Sequence, residues 1–263
     1  MSQLQDKAQQ LLTLHGEGSS LLLANAWDAA SARVFEEAGF PAIGTTSAGI
    51  AYSHGCLDGQ RIEPDVMLRA IERIAAAVQV PVTADIEAGY GPSGTDVART
   101  VERVIAAGAV GVNLEDSTQD AAQPLFAVEA QVERIAAARE VAEHAGIHLM
   151  INARIDTSLA GVGEGQARLE ETIRRGRAYL EAGADCIFVP LVMDAATIEV
   201  LVREIPGPLN ILAIPGSLPA PELFTLGVRR VSIGDSAMLA TLGLVATIAR
   251  ELREHGTYTT ISR

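Results

Sequence analysis

Residues 80–114 read VPVTADIEAGYGPSGTDVARTVERVIAAGAVGVNL and contain a complete strand–helix–strand unit. Apolar runs rich in β-branched residues predict strands at 80–86 and 110–114, and helical periodicity predicts a helix at 95–107. Gly108 follows the helical stretch, at a position where glycine often ends a helix in the left-handed conformation. Two strands joined by a helix in this way are expected to run parallel.

The same pattern recurs along the chain. Six further apolar runs predict strands at 21–27, 42–46, 148–155, 186–192, 209–214 and 230–233. Helical periodicity is also clear at 64–78, 127–145, 166–182, 195–204 and 237–255. Eight strands that alternate with helices predict an α/β protein with a parallel sheet, either closed or doubly wound. Because eight strands close a barrel and no glycine-rich fingerprint opens the first unit, we predict a (β/α)8 TIM-type barrel.

The 263 residues contain no linker, low-complexity tract or charge run that would divide them. This length is typical of one such barrel. We therefore predict a single barrel domain over residues 1–263, with 236–263 as a C-terminal helical segment. Two stretches that interrupt the alternation, 48–63 and 158–165, are predicted to be loops. The three glycines of the second stretch resemble a phosphate cradle only weakly.

Composition limits the possible partners and chemistry. A net charge of −13 excludes nucleic acid and anionic membranes as expected partners, since both need a basic face. The cysteines Cys56 and Cys186 form neither a disulfide framework nor a zinc spacing. With a polar stretch at 1–10 and no membrane-spanning apolar run, we expect a soluble cytoplasmic protein. The one lysine, Lys7, precedes the first predicted strand, which excludes Schiff-base chemistry.

Three carboxylates are predicted to converge where strands 3 and 4 end, at the face where barrel active sites form. Strand alternation places Asp85 and Glu87 on one side, and Glu115 ends the neighbouring strand. Carboxylates this close repel each other unless a cation or a proton compensates. Oxygen ligands without cysteine or histidine favour Mg²⁺ or Mn²⁺ over zinc. The alternative is helix capping or pairing with arginines, and it is an equally good interpretation for Asp28 and Asp116.

Arg154 ends predicted strand 5 at the same face. Its planar guanidinium suits a two-pronged grip on a carboxylate. The alternative, an ion pair with Asp156 or Glu115, is compatible with substrate binding. In the loop after strand 2, His54 is either a hydrogen-bonding loop residue or a proton carrier.

Five stretches, in order, resemble the isocitrate lyase/phosphoenolpyruvate mutase superfamily. They read ANAWDAASAR at 24–33, TTSAG at 45–49, ADIEAGYG at 84–91, NLEDS at 113–117 and NARID at 152–156. The Asp-x-Glu-x-Gly-Tyr-Gly run is distinctive, and the ordered set is far more specific than any one motif. The resemblance extends over roughly residues 20 to 240 in family order, so it implies the barrel of that superfamily.

The resemblance also implies roles for individual residues. Asp85 would ligate Mg²⁺ directly, while Glu87 and Glu115 would act through water. Ser47 and the backbone after it would hold a substrate carboxylate or oxyanion, and Arg154 would clamp the carboxylate. The implied catalytic residues are Ser47, Asp58 and Arg154, and the implied substrate-binding residues are Ser47, Ala48, Gly49, Asp85, Arg154 and Asn210.

Barrels of this superfamily commonly pair by exchanging a C-terminal helix. The apolar stretch 237–249 would suit such an exchange. The resemblance therefore implies a homo-oligomer, either a dimer or a tetramer.

The loop after strand 4 departs from the family. Lyases of the superfamily carry a Lys-Lys/Arg-Cys-Gly-His motif there, whose cysteine donates or accepts a proton, and the phosphonate enzymes carry Lys with Asn or Thr. Residues 118–125 read TQDAAQPL, without Lys, Cys, His or Asn. The family's histidine after strand 6 is also missing. These differences argue against isocitrate, methylisocitrate and phosphonopyruvate as substrates.

The remaining chemistry needs only a metal that holds a small 2-oxo acid and stabilises an enolate. Loss of CO₂ from C3 fits, because water can protonate the metal-stabilised enolate without a cysteine. We therefore expect a Mg²⁺-dependent carbon–carbon lyase resembling oxaloacetate decarboxylase. The alternatives are a 2-oxo acid binding protein without turnover and P–C bond cleavage like that of phosphonopyruvate hydrolase.

Overall fold

The computed structural model describes residues 2–16, 18 and 20–261, within which eight parallel strands form a closed barrel. The strands are β1 (Leu21–Ala26), β2 (Ile43–Thr45), β3 (Val82–Asp85), β4 (Gly111–Glu115), β5 (Met150–Arg154), β6 (Cys186–Val189), β7 (Leu209–Leu212) and β8 (Arg230–Ser232). Each strand pairs with its neighbour in chain order, and β8 returns to β1. The predicted TIM-type barrel is confirmed, and the open doubly wound sheet is excluded.

Helices surround this barrel in the described part of the chain. They are α1 (Gln3–Thr13), α2 (Ala29–Glu37), α3 (Ser47–Ser53), α4 (Pro64–Ala77), α5 (Gly94–Ala106), α6 (Val128–His144), α7 (Gly165–Glu181), α8 (Ala195–Glu204), α9 (Ala220–Thr225) and α10 (Ser236–His255). Every helix predicted from periodicity is present. Four further helices, α1, α2, α3 and α9, were not predicted.

The predicted loop at 48–63 is partly wrong, because its first part is the helix α3. Thr46 begins this helix as the N-cap, and its side chain accepts a hydrogen bond from the backbone N–H of Gly49. At seven residues, α3 is too short to show apolar periodicity, so the pattern did not reveal it. The predicted loop before α7 is present.

The helix α1 packs at the amino-terminal end of the barrel. Its Leu11 is fully buried beside Gly111, the first residue of β4. A Cβ atom at Gly111 would lie only 2.9 Å from Leu11 Cδ2, so glycine is needed for this close approach. At this point the amino-terminal end is therefore closed by a tight apolar contact.

The interior near the carboxyl ends of the strands is polar instead. Branched apolar side chains usually fill the centre of such barrels. Here the buried interior contains amide and hydroxyl side chains from seven strands, Asn25, Thr45, Thr83, Asn113, Asn152, Asn210 and Ser232. A polar lining leaves room for water or a ligand, and it lies at the end where barrel sites form.

The last helix, α10, has one buried residue, Met238. It exposes apolar side chains along its length, namely Leu239, Leu242, Leu244, Val245 and Leu252. The predicted helical segment 236–263 is longer than the helix, which ends at Gly256 in the left-handed conformation. Residues 262 and 263 lie outside the described residues. The predicted oligomer remains a prediction that this exposed apolar surface supports.

No helix among the described residues is long and apolar enough to span a membrane.

Candidate functional site

A cavity of about 210 Å³ opens where the strands end, and it contains most of the predicted site. Six predicted residues line it, namely Ser47, Ala48, Asp58, Asp85, Arg154 and Asn210. Three others, Gly49, Glu87 and Glu115, are buried but are not among the lining residues. The backbone N–H of Gly49 is used by the N-cap of α3, so it is not free to hold a substrate oxyanion.

Asp85 ends β3 and is held in the cavity wall by neutral donors. Its Oδ2 accepts hydrogen bonds from Ser47 Oγ at 2.8 Å and from the Ser47 backbone N–H at 3.1 Å. Its Oδ1 accepts one from Asn113 Nδ2 at 2.9 Å. These donors fix the orientation of the carboxylate but do not neutralise its charge. The carboxylate of Asp85 is therefore oriented in the cavity wall without an arginine or lysine partner.

Asp58 lies on the same side of the cavity as Asp85. Its Oδ1 is 3.4 Å from Ser47 Oγ, which donates its shorter bond to Asp85. Burial raises the pKa of Asp58 above its usual value, and the negative charge of Asp85 raises it further. Asp58 therefore holds a proton more readily than an exposed carboxylate does.

Arg154, at the end of β5, makes both ion pairs that the sequence analysis raised as alternatives. Its Nη1 is 2.9 Å from Glu115 Oε2, and its Nε is 2.6 Å from Asp156 Oδ1. Burial alone would lower the pKa of Arg154, but the two carboxylates raise it above its usual value. The guanidinium also lines the cavity. It is thus a fixed cation that two acids orient toward the space where a substrate would bind.

Glu87 is placed by a turn and not by strand alternation, so the reason given for its position is wrong. β3 ends at Asp85, and Glu87 has a left-handed backbone with φ of 51°. Its carboxylate accepts hydrogen bonds from Tyr90 Oη at 3.0 Å and from the backbone N–H of Gln60. Burial raises the pKa of Glu87 to about 7. Near neutral pH this buried carboxyl is therefore poised between its two protonation states.

Glu115 ends β4 behind the cavity wall. Burial raises its pKa well above the usual value, although Arg154 opposes this shift. The amide of Gln119, in the loop that replaces the family's lyase motif, lies 3.4 Å from Glu115 Oε1. Glu115 is therefore held between a cation and a neutral donor.

The predicted ligands fit a Mg²⁺ ion that keeps most of its water. In the described chain, no three Asp, Glu, His or Cys side chains stand close enough to enclose a metal. Only Asp85 of the predicted ligands lines the cavity, while Glu87 and Glu115 are hydrogen-bonded behind it. Mg²⁺ typically binds through one or two carboxylates and retains several waters. The three predicted ligands and Asp58 outnumber the two arginines of the cavity, Arg154 and Arg230, and this excess of carboxylates also fits a divalent ion.

Two acids near the strand ends have supporting roles. Asp28 caps α2, accepting a hydrogen bond from the Ser31 backbone N–H at 2.7 Å. Asp116 is fully buried and accepts hydrogen bonds from Arg175 Nη1 at 2.9 Å and Tyr179 Oη at 2.8 Å. Both positions agree with the alternative interpretation of these residues.

Sequence reasoning missed several residues around the cavity. Gln60 and Tyr90 orient the carboxylate of Glu87, and nothing in a loop pattern reveals such contacts. Thr83 and Arg230 line the inner part of the cavity. The sequence contains one signal for Arg230, since a charged residue at the start of a short buried strand is unusual.

Comparison with known proteins gives consistent matches over most of the chain. The family model described as phosphoenolpyruvate phosphomutase matches residues 11–253. An uncharacterized protein of Mycobacterium tuberculosis is 36% identical over 241 residues, which are 92% of this chain and 88% of that protein. Oxaloacetate decarboxylase of Pseudomonas entomophila is 31% identical over 241 residues, covering 87% of this chain and 78% of the relative.

A solved structure shows the same similarity in three dimensions. It is phosphonopyruvate hydrolase in complex with oxalate and Mg²⁺, which is 29% identical with a TM-score of 0.86. The match covers 97% of this chain and 90% of that chain.

Proposed function

The chain belongs to the phosphoenolpyruvate phosphomutase family of the isocitrate lyase/phosphoenolpyruvate mutase superfamily, and we propose that it is a Mg²⁺-dependent carbon–carbon lyase. In this proposal it binds a small 2-oxo acid and cleaves a bond at C3 through an enolate, as in oxaloacetate decarboxylation. The proposal rests mainly on the position of Asp85. Neutral donors hold its carboxylate in the wall of a cavity that Arg154 also lines.

Different residues of the chain would bind the metal and orient the substrate. Asp85 would hold Mg²⁺ directly, and Glu87 and Glu115 would bind its water ligands. The ion, when bound, supplies the positive charge that stabilises a developing enolate oxygen. Arg154 would hold the substrate carboxylate, because its guanidinium faces the cavity and is kept in place by two acids. Ser47, at the start of α3, lines the same cavity and would orient the substrate by turning its hydroxyl group from Asp85 to a substrate oxygen.

Asp58 is the residue best placed to handle a proton. It lines the cavity, and its pKa is raised by burial and then by Asp85. In the proposed reaction the C3 carbon needs a proton after the bond breaks, and Asp58 would deliver it through water.

Decarboxylation fits the site better than retro-aldol cleavage does. Retro-aldol cleavage by the family's lyases uses a thiol, and neither cysteine is among the residues that line the described cavity. Burial raises the pKa of Cys186 to about 12, so that thiol stays neutral. The isolated bridge between Ser117 and Leu125 closes the loop after β4 without placing a thiol or an imidazole in it.

P–C bond cleavage is the second candidate, because phosphonopyruvate hydrolase of Variovorax is 29% identical over 238 residues. A phosphonate carries more negative charge than a carboxylate. The loop at 118–125 lacks the lysine that the family's phosphonate enzymes carry there, so it supplies no cation for this additional charge. The missing lysine favours a carboxylate as the group that leaves from C3.

A product survey tests the proposal against this alternative. The protein would be incubated with Mg²⁺ and either oxaloacetate or phosphonopyruvate, and CO₂, pyruvate and phosphate would be measured. The proposal expects CO₂ and pyruvate in equal amounts from oxaloacetate. Phosphate release with no CO₂ would favour P–C cleavage, and saturable binding of both compounds without products would identify a binding protein.

A further inference from the structure

The inner part of the cavity contains buried polar atoms that lack hydrogen-bond partners. Six such atoms are found in the described part of the chain, and they belong to His15, Thr83, Asn152, Asn210 and Arg230. All of these residues except His15 line the cavity. Buried polar groups in native proteins are nearly always paired, so a cluster of unpaired ones indicates an absent partner.

Arg230 is the most unusual member of this cluster. It begins β8 opposite Asn210 of β7 and is only 3% exposed. Neither Nε nor Nη1 has a hydrogen-bond partner among the described residues. Burial lowers the pKa of Arg230 to about 10, so the guanidinium remains charged at neutral pH. An uncompensated buried charge is strongly destabilising, and such groups normally have a counterion.

The described part of the chain does not supply that counterion nearby. The two groups whose negative charge would act on Arg230 are Cys186 and Asp85. Burial raises the pKa of the Cys186 thiol to about 12, so it is neutral. Asp85 is held by Ser47 and Asn113 at the outer part of the cavity. His15 cannot add positive charge at neutral pH, because burial lowers its pKa to about 4.

The neighbouring amides are oriented by a chain of hydrogen bonds. Asn113 Nδ2 donates to Asp85, and Asn152 Nδ2 donates to Asn113 Oδ1, which leaves Asn152 Oδ1 without a donor. Asn210 Oδ1 accepts from Ser232 Oγ at 3.2 Å, which leaves Asn210 Nδ2 as an unused donor. Arg230, Asn210 and the hydroxyl of Thr83 thus offer hydrogen-bond donors to the same space. The carbonyl of Asn152 is an acceptor that a water molecule can satisfy.

We propose that this inner part of the cavity is a binding site for a small monoanion of carboxylate size, paired with Arg230 and hydrogen-bonded by Asn210 and Thr83. The donors and the positive charge match one negatively charged group. That group has two possible sources, either a free anion such as formate or a second carboxylate on the substrate. The existence of the site is independent of the proposed function. Only the assignment of the anion to the substrate rests on that function.

Thermal unfolding without Mg²⁺ or substrate tests the site. The melting temperature of the wild-type protein would be measured in rising formate, with gluconate at matched ionic strength as a much bulkier monoanion. Binding to the folded state predicts a saturable rise in formate only. Equal melting temperatures in formate and gluconate would overturn the proposal.

Two variants locate the effect. Arg230→Met removes the unpaired charge while keeping an apolar side chain of similar length. It should raise the melting temperature in gluconate and abolish the response to formate, since an apolar replacement for an uncompensated buried charge is often stabilising. Asn210→Asp provides a built-in carboxylate beside Arg230, so it should also abolish the response. Arg73→Met, at an exposed position on α4, is the matched control and should respond like the wild type. A full formate response in Asn210→Asp, or in a folded Arg230→Met, would contradict the site.

The source of the anion is assigned by binding of 2-oxo acids with Mg²⁺, which rests on the proposed function. If the occupant is a second substrate carboxylate, Arg230→Met should weaken the binding of oxaloacetate by at least about tenfold, the lower range for a hydrogen bond to a charged group. The affinity for pyruvate, which has one carboxylate, should be unchanged. If the occupant is a free anion, formate should not compete with oxaloacetate, and the variant should treat both acids alike. A failed proposed function would leave the metal-free melting result unaffected, so the two failures are distinguishable.

Discussion

Ser47 donates two hydrogen bonds to a single oxygen of Asp85, one from its hydroxyl at 2.8 Å and one from its backbone N–H at 3.1 Å. This contact joins the start of α3 to the end of β3. It couples the orientation of the proposed metal ligand to the residue that is proposed to orient the substrate. Because both donors are neutral, the negative charge of Asp85 remains available to a cation.

The first prediction concerns the metal. Asp85→Ala should abolish Mg²⁺-dependent binding of a 2-oxo acid while the barrel still folds, because it removes the only proposed ligand that lines the cavity. Isothermal titration calorimetry with pyruvate measures this. Asp28→Ala is a suitable control, since Asp28 caps α2 and should cost about 0.5–2 kcal/mol of stability without affecting Mg²⁺. Undiminished binding in Asp85→Ala would remove the metal assignment.

The second prediction concerns Arg154. A lysine cannot reproduce the planar guanidinium that bridges Glu115 and Asp156. Arg154→Lys should therefore weaken substrate binding by about 1.5–3 kcal/mol, the range for a hydrogen bond to a charged group. The matched control is Arg139→Lys, which changes an arginine that pairs with Asp185 outside the cavity and should leave affinity unchanged. Wild-type affinity in Arg154→Lys would mean that Arg154 only pairs with the two acids.

The third prediction concerns the thiols. The double variant Cys56→Ser, Cys186→Ala should retain oxaloacetate decarboxylation, because neither cysteine is among the residues that line the described cavity. Methylisocitrate should not be cleaved by the wild type, since retro-aldol cleavage leaves a carbanion that needs a positioned proton donor. Both rates can be followed by coupled assays. Loss of decarboxylation from Cys56→Ser alone, or rapid methylisocitrate cleavage, would show that a thiol takes part.

The fourth prediction concerns pH. Burial raises the pKa of Glu87 to about 7, so the free carboxyl is largely protonated below pH 7. Mg²⁺ and its water ligands favour the ionised form, so binding must displace this proton. Affinity for Mg²⁺ should therefore rise by about tenfold per pH unit below pH 7 and level off above it. Titrations at pH 6, 7 and 8 measure this, and Glu87→Gln should flatten the profile. A pH-independent affinity in the wild type would exclude Glu87 from the site.

The barrel could be predicted because each strand is a short apolar run and each long helix shows clear periodicity. α3 and α9 escaped prediction because seven and six residues are too few for a helical pattern. Most predicted strands were too long, because apolar residues continue beyond the strand ends, as at Ile86, Val192 and Ile214. Local sequence patterns therefore determined the order of the elements but not their ends.

The candidate site was predicted only in part, because strand order positions some of its residues and turns position others. Asp85 and Arg154 end their strands, so the chain order alone brings them to one face. Glu87 lies close to Asp85 because of a left-handed turn that no alternation rule describes. Whether Arg230 has a hydrogen-bond partner depends on which side chains reach it in the folded protein. A sequence pattern does not contain that information.

The most direct test of the central claim is the rate of oxaloacetate decarboxylation with and without Mg²⁺. It would be measured for the wild type and for Asp85→Asn, which keeps the size of the side chain but removes its charge. A blank with Mg²⁺ and no protein corrects for the uncatalysed reaction. We expect saturable turnover by the wild type that needs Mg²⁺, and a rate equal to the blank in Asp85→Asn. Turnover that persists in a chelator, or that is equal in the two proteins, would contradict it.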